Sequence, residues 1–168
     1  PGGGLLPFGE SEPAAIAALL GDHSHQGGRG GGLLELVFIN GCFSEDLGRR
    51  ISAKGVDFVV CWRTRLLDGA ARLFSRSFFR AVASGDDYRR AFEHAARVVS
   101  DEKLKTGAGF GTRKFRLVDP DGPSHSAGLY PLESGVPLLI CRGGSEWTVR
   151  PDGAVVTVAQ AGARFQIK

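Results

Sequence analysis

Leu33-Leu34-Glu35-Leu36-Val37-Phe38-Ile39-Asn40 runs with almost no polar alternation into Gly41-Cys42, and Phe43-Ser44-Glu45-Asp46-Leu47-Gly48 then opens a helix. An apolar run of this kind reads as a strand buried on both faces. A strand that stops at a small residue and turns at once into a helix delivers the next side chain to the rim of its sheet. That side chain is Cys42. A helix N-terminus favours the thiolate, the reactive form, of a cysteine placed beside it, so the position suits a nucleophile. By residue type alone, Cys42 reads as a small buried apolar side chain, the usual place of a free cysteine.

Downstream the texture alternates. The helix after Cys42 continues to about Lys54 and is closed by Gly55, and 56–62 reads as a second buried strand. A long helix over 68–83 sets Ala70, Ala71, Phe74, Phe78, Ala81 and Val82 on one face. Ser84-Gly85 breaks it. A further helix over 86–103 carries Tyr88, Ala91, Phe92, Ala95, Val98 and Val99 on a similar stripe. Strand, helix, strand, helix predicts a mostly parallel sheet with helices on both faces.

Upstream, Ser11-Glu12-Pro13 reads as a helix start for a short helix over 14–20. A glycine-rich loop with His23, His25 and Arg29 fills 21–32. From Thr106 the chain turns to glycine, proline and short apolar runs, predicting short strands over 114–119, 136–142, 146–150, 154–159 and 164–168. Asp119-Pro120-Asp121-Gly122 and Arg150-Pro151-Asp152-Gly153 are turn sequences. The second turn joins a predicted hairpin. No internal repeat is visible.

At 168 residues, 42% hydrophobic and 23% charged, the chain is long enough for one domain with a real core. The net charge of +3 is mild and its arginines are scattered, which argues against a nucleic-acid-binding stripe. Cys42, Cys61 and Cys141 are odd in number and widely spaced, against both a disulfide framework and a zinc cluster. No apolar run approaches the roughly 20 residues a membrane span needs, and no signal peptide opens the chain. The expectation is a cytoplasmic protein with no metal, no cofactor, no nucleic acid and no membrane partner. The chain starts at Pro1 and has no methionine, which reads as a piece of a longer protein.

Asn40-Gly41-Cys42-Phe43-Ser44, Leu47-Gly48, Gly55-Val56, Val59-Val60-Cys61-Trp62, Asp68, Ala70-Ala71, Phe74, Phe78-Phe79, Gly85, Ala91 and Ala95-Ala96 follow one another in an order that resembles the second half of a CHAT domain. That family belongs with the caspase-like cysteine peptidases, and the resemblance covers about 33–99. It implies a cysteine-histidine dyad in which Cys42 attacks a peptide carbonyl and forms an acyl-enzyme. Histidine would protonate the leaving amine, and backbone N–H groups near the cysteine would hold the oxyanion. In the family that histidine follows the preceding strand in a His-Gly pair, which places it upstream of this chain.

The histidines present fit the dyad poorly. His23 and His25 precede the strand that carries Cys42, about eight residues at roughly 3.3 Å each, or about 26 Å, from the thiol. His94 falls within a helix as a partly exposed side chain, and His125 lies in a Pro-Ser-His-Ser loop. Asp68 follows the Trp62 strand and is therefore expected on the same rim as Cys42. Caspase-like peptidases that cut after arginine or lysine carry an acid in their substrate pocket, whereas ahead of Gly69-Ala70-Ala71 the favoured reading of Asp68 is a helix cap. Trp62 reads either as a wall of the substrate pocket or as core. Glu45 and Asp46 complement the dipole of the helix they open and read poorly as a dedicated acid or base. The 27–32 glycine loop lacks the lysine and hydroxyl residue of a phosphate loop and reads as a linker.

The expected fold is thus α/β, a three-layer caspase-like arrangement with a mostly parallel sheet, helices on both faces and a β-rich C-terminal end. Residues 1–142 are expected to be the C-terminal part of a CHAT domain, and 143–168 a C-terminal β-hairpin extension. The expected function is a CHAT-type cysteine endopeptidase, inactive as this fragment alone, acting on a protein or peptide substrate and governed by repeat domains of the same longer chain. Catalysis falls to Cys42, substrate binding to Trp62 and Asp68. The alternative is a catalytically silent CHAT-like protein-interaction module. A third reading, an unrelated small-molecule-binding α/β domain, takes the resemblance as accidental.

Overall fold

Where the sequence turns from apolar run to amphipathic stripe, the chain turns from strand to helix. The structure, a computed structural model, describes residues 12–24, 32–101, 103–105, 112–114, 135–149 and 154–159. In chain order these form α1 (Glu12–Asp22), β1 (Leu36–Phe38), α2 (Glu45–Ala53), β2 (Phe58–Trp62), α3 (Asp68–Ala83), α4 (Tyr88–Asp101), β3 (Lys103–Lys105), β4 (Thr112–Lys114), β5 (Pro137–Cys141), β6 (Glu146–Val149) and β7 (Val155–Thr157). The fold is α/β, with a five-stranded sheet in the order β1-β2-β5-β6-β7 and a separate pair, β3-β4.

Strand β2 divides the core by its alternation. Val60 and Trp62 point to one face, where they meet Phe74, Phe78, Phe92 and Val99 of α3 and α4. Val59 and Cys61 point to the other, where they meet Ala17 of α1 and Ile51 of α2. Strand β5 repeats the division, with Leu139 on the first face and Leu138 and Ile140 on the second. The amphipathic stripes explain the docking: Ala70, Ala71, Phe74, Phe78 and Ala81 of α3 are buried, as are Ala91, Phe92, Ala95 and Val99 of α4. Burial on both sides is what β2 requires to keep four consecutive side chains from water.

Two expectations about the sheet are corrected. It is not mostly parallel among the described strands: β1 and β2 run parallel, but β2-β5, β5-β6 and β6-β7 are antiparallel. A helix carries the chain from β1 to β2 and permits a parallel return, whereas the short links from β5 to β6 and from β6 to β7 reverse it. Nor is 33–40 buried throughout. Strand β1 is only half-buried and Leu33 is 91% exposed, because among the described residues β1 has a full partner on one edge, with a single bridge from Leu34 to Ser24 near the other end.

The predicted hairpin is present as the antiparallel pair β6-β7, with Trp147 opposite Thr157 and Val149 opposite Val155. Its strands extend the same sheet past β5. Helix α4 starts at Tyr88, where Asp87 accepts the N–H of Arg90 at 2.8 Å. The 115–119 part of one predicted strand, the 164–168 strand, His25 and His125 lie outside the described residues.

Candidate functional site

After Phe38 the chain keeps one more link to β2, the N–H of Ile39 on the carbonyl of Val60 at 2.8 Å, and then turns. Gly41 to Phe43 make the corner, and Ser44 precedes α2. Phe43 takes a left-handed backbone, φ 51°, a conformation that costs a non-glycine residue about 1–2 kcal/mol. Its N–H is held by the carbonyl of Thr64 at 3.1 Å. The Ser44 hydroxyl donates to Gly41 O at 2.8 Å and accepts the N–H of Trp62 at 3.0 Å. These contacts tie the corner to the carboxyl end of β2.

Cys42 stands exposed at the tip. Its sulfur accepts the N–H of Leu66 at 3.3 Å and lies 3.7 Å from the carbonyl of the same residue. Beside it opens a cleft of about 340 Å³ lined by Asn40, Cys42, Leu66, Asp68, Ala71 and Arg72. The cleft therefore lies beyond the carboxyl ends of the parallel pair β1 and β2, where ligands of α/β sheets are usually met. The sequence anticipates the rim position of Cys42 but credits only the helix that follows it. The first turn of α3 also lines the cleft, through Asp68, Ala71 and Arg72.

Asp68 and Cys42 are brought together, as expected of a shared rim. Asp68 is not the helix cap, however. Leu67 occupies that position, its carbonyl accepting the N–H of Ala71 at 2.8 Å, and Asp68 is the first helical residue, exposed on the cleft. Trp62 is corrected in the opposite sense. It is fully buried, its ring 5.2 Å from that of Phe74 in an edge contact, and does not line the cleft. Alternation decides this, since Trp62 shares the face of Val60 that α3 and α4 cover. Asn40, Leu66 and Arg72 were not anticipated. Asn40 directly precedes the Gly-Cys corner and could have been read from that; Leu66 and Arg72 reach the cleft only through the fold.

The two described histidines lie elsewhere. His23 borders the Ser24–Leu34 bridge at the start of the β1 run, and its carbonyl accepts the N–H of Leu34 at 3.1 Å. His94 is exposed on α4 beside Arg97 and Asp101. Glu45 and Asp46 are engaged in ion pairs. Glu45 meets Arg49 at 2.7 Å and Arg63 at 3.0 Å, Asp46 meets Arg50 at 2.7 Å, and Arg49 also binds Glu146 of β6. Burial opposes the charge of Glu45, but its hydrogen bonds to Arg49 and Arg63 outweigh that and hold the carboxyl below its usual range.

Cys61 is buried against α2, and burial, with the Glu45 charge adding to it, pushes its thiol up to about 12. It is unsuited to nucleophilic work. Cys141 is half-buried and likewise raised by burial. Among the described residues no group of three metal-ligating side chains gathers, and no helix is long and apolar enough to cross a membrane. An exposed thiol, a backbone donor on its sulfur and a cleft holding one carboxylate and one guanidinium are what this rim offers a ligand. Neither a protein family, nor a curated protein, nor a solved structure matches this chain.

Proposed function

We propose that the chain carries the cysteine-bearing part of a CHAT-type cysteine endopeptidase domain, a caspase-like fold with three layers, cytoplasmic and governed by repeat domains of a longer protein. The observation that carries this reading is the exposure of Cys42 on a cleft at the carboxyl end of β1. The helices on either face of β2 and β5 support the layering.

In this reading the Cys42 thiol gives its proton to the dyad histidine and its sulfur bonds to the carbonyl carbon of a protein or peptide substrate. The peptide C–N bond breaks, and the leaving amine takes its proton from that histidine, supplied by a segment N-terminal to α1. Water then hydrolyses the thioester, releasing the new carboxyl end and restoring the thiol. Asp68, exposed on the same cleft, would receive a basic side chain of the substrate.

The test is labelling of the full-length protein with a cysteine-directed peptide inhibitor. Modification is expected at Cys42 and lost in Cys42→Ala; equal labelling of the two proteins ends the nucleophile claim. One observation favours the alternative, a catalytically silent interaction module: neither His23 nor His94 lines the cleft. A Cys42 that labels in a full-length protein that cleaves no peptide is the signature of that alternative.

A further inference from the structure

Four charged side chains recur at every fourth position of α3: Asp68, Arg72, Arg76 and Arg80. Residues four apart share one face of a helix, and all four are exposed. Asp68 and Arg72 line the Cys42 cleft, so the row begins there and runs away along the helix. At 1.5 Å of rise per residue, Arg72 and Arg80 stand about 12 Å apart.

Asp68 and Arg72, four apart, suit a helix, but charge interactions within α3 do not account for the run of three arginines. Like charges four apart repel. A basic side chain complements the helix dipole only near the last turn, which covers Arg80 alone. Arg72 sits toward the positive end of the dipole. Arg49, Arg50, Arg63, Arg89, Arg90 and Arg142 each meet a carboxylate. Arg72, Arg76 and Arg80 form no ion pair among the described residues. Beside the row, Phe79 is 47% exposed with its ring 5.2 Å from that of Phe38 in β1, adding an apolar flank.

We propose that the Arg72-Arg76-Arg80 row is a docking track for an acidic segment of the protein substrate, leading it to Cys42. In an extended chain, side chains on one side recur about every 6.6 Å, close to the roughly 6 Å between successive arginines of the row. Carboxylates at alternate positions therefore meet successive guanidiniums. Asp68 at the head of the row opposes a uniform polyanion such as a nucleic acid entering the cleft, whereas a peptide can place a neutral or basic residue there. The word substrate rests on the peptidase reading; the recognition of an acidic peptide does not.

The experiment follows fluorescence anisotropy of labelled ligands with the full-length protein: a peptide with glutamate at alternate positions, its glutamine counterpart, and a single-stranded oligouridylate. The glutamate peptide is expected to bind best and to weaken with salt. It should also weaken at least about tenfold when all three arginines become glutamine, and about two- to threefold in Arg76→Gln alone. Circular dichroism of the variants is expected to be unchanged. Equal binding of the two peptides, undiminished binding by the triple variant, or tighter binding of the oligouridylate would each overturn the track. Acidic preference in a protein whose Cys42 ignores the peptide inhibitor removes the peptidase and keeps the track; inhibitor labelling without acidic preference does the reverse.

Discussion

The hydroxyl of Ser44 accepts the backbone N–H of Trp62 at 3.0 Å while donating to the carbonyl of Gly41 at 2.8 Å. One side chain thus joins the end of β2 to the turn that exposes Cys42. The corner needs such a tie, because its own residues offer little burial: Cys42 and Phe43 are both exposed, and Phe43 is in a left-handed backbone. Ser44 stands at the cap position of α2 yet makes no side-chain hydrogen bond to that helix. Its hydroxyl serves the corner instead.

Ser44→Ala is therefore expected to cost more than an exposed cap. It leaves the buried N–H of Trp62 without its partner, which costs about 1–3 kcal/mol. A urea titration followed by Trp fluorescence should show the extrapolated unfolding free energy fall by that amount. Alkylation of Cys42 by iodoacetamide should change rate in the same variant, and an unchanged midpoint together with an unchanged rate would remove the tie from the account.

Gly48 and Cys61 set the distance between α2 and β2. A Cβ on Gly48 would fall 2.7 Å from the Cys61 sulfur and 3.1 Å from its Cβ. Gly48→Ala gains up to about 1 kcal/mol of helix propensity but overpacks the interface, which costs about 1–3 kcal/mol. The net expectation is destabilisation. In a Cys61→Ala background the sulfur is gone and only the tight 3.1 Å contact with the residue-61 Cβ remains, so the same substitution should cost less. A double-mutant cycle on unfolding free energy checks this, and simple additivity would show that the two residues do not meet.

Much of this was legible in local pattern. The three-to-four spacing of apolar residues fixed α3 at Asp68–Ala83, and Gly55, at φ 99°, ends α2 where a C-terminal glycine was expected. The rim position of Cys42 followed from a strand, a glycine and a helix start in immediate succession. Strand direction was less legible. Between β2 and β5 lie α3, α4 and a long stretch of chain, and nothing in either strand's composition states that Val60 will pair antiparallel with Leu139. Trp62 is ambiguous for a different reason: its place at the strand end suggests the rim and a substrate contact, while its alternation with Val60 puts it in the core. Arg72 is not legible in the sequence because a solvated arginine and one lining a cleft look alike until the fold brings α3 beside Cys42.

Two buried or paired groups should limit the pH range of the fold from opposite sides. The Cys61 thiol is raised by burial from about 9 to about 12. The folded state then holds its proton where the unfolded chain has lost it, so this stability is intact below about pH 9 and is lost as pH rises toward about 12. Cys141 and Tyr88, each raised first by burial, act in the same direction. Glu45 is the reverse case. Its folded carboxyl is lowered by Arg49 and Arg63 despite burial, so its contribution is present above its ordinary value of 4.5 and is lost as pH falls through the folded value. Unfolding midpoints measured across pH under reducing conditions should fall at both ends. Cys61→Ala is expected to lower the plateau, as a small cavity does, while flattening the alkaline fall; Glu45→Gln is expected to flatten the acid fall. An alkaline fall as steep in Cys61→Ala as in the wild type would assign that limb to Cys141 and Tyr88 instead.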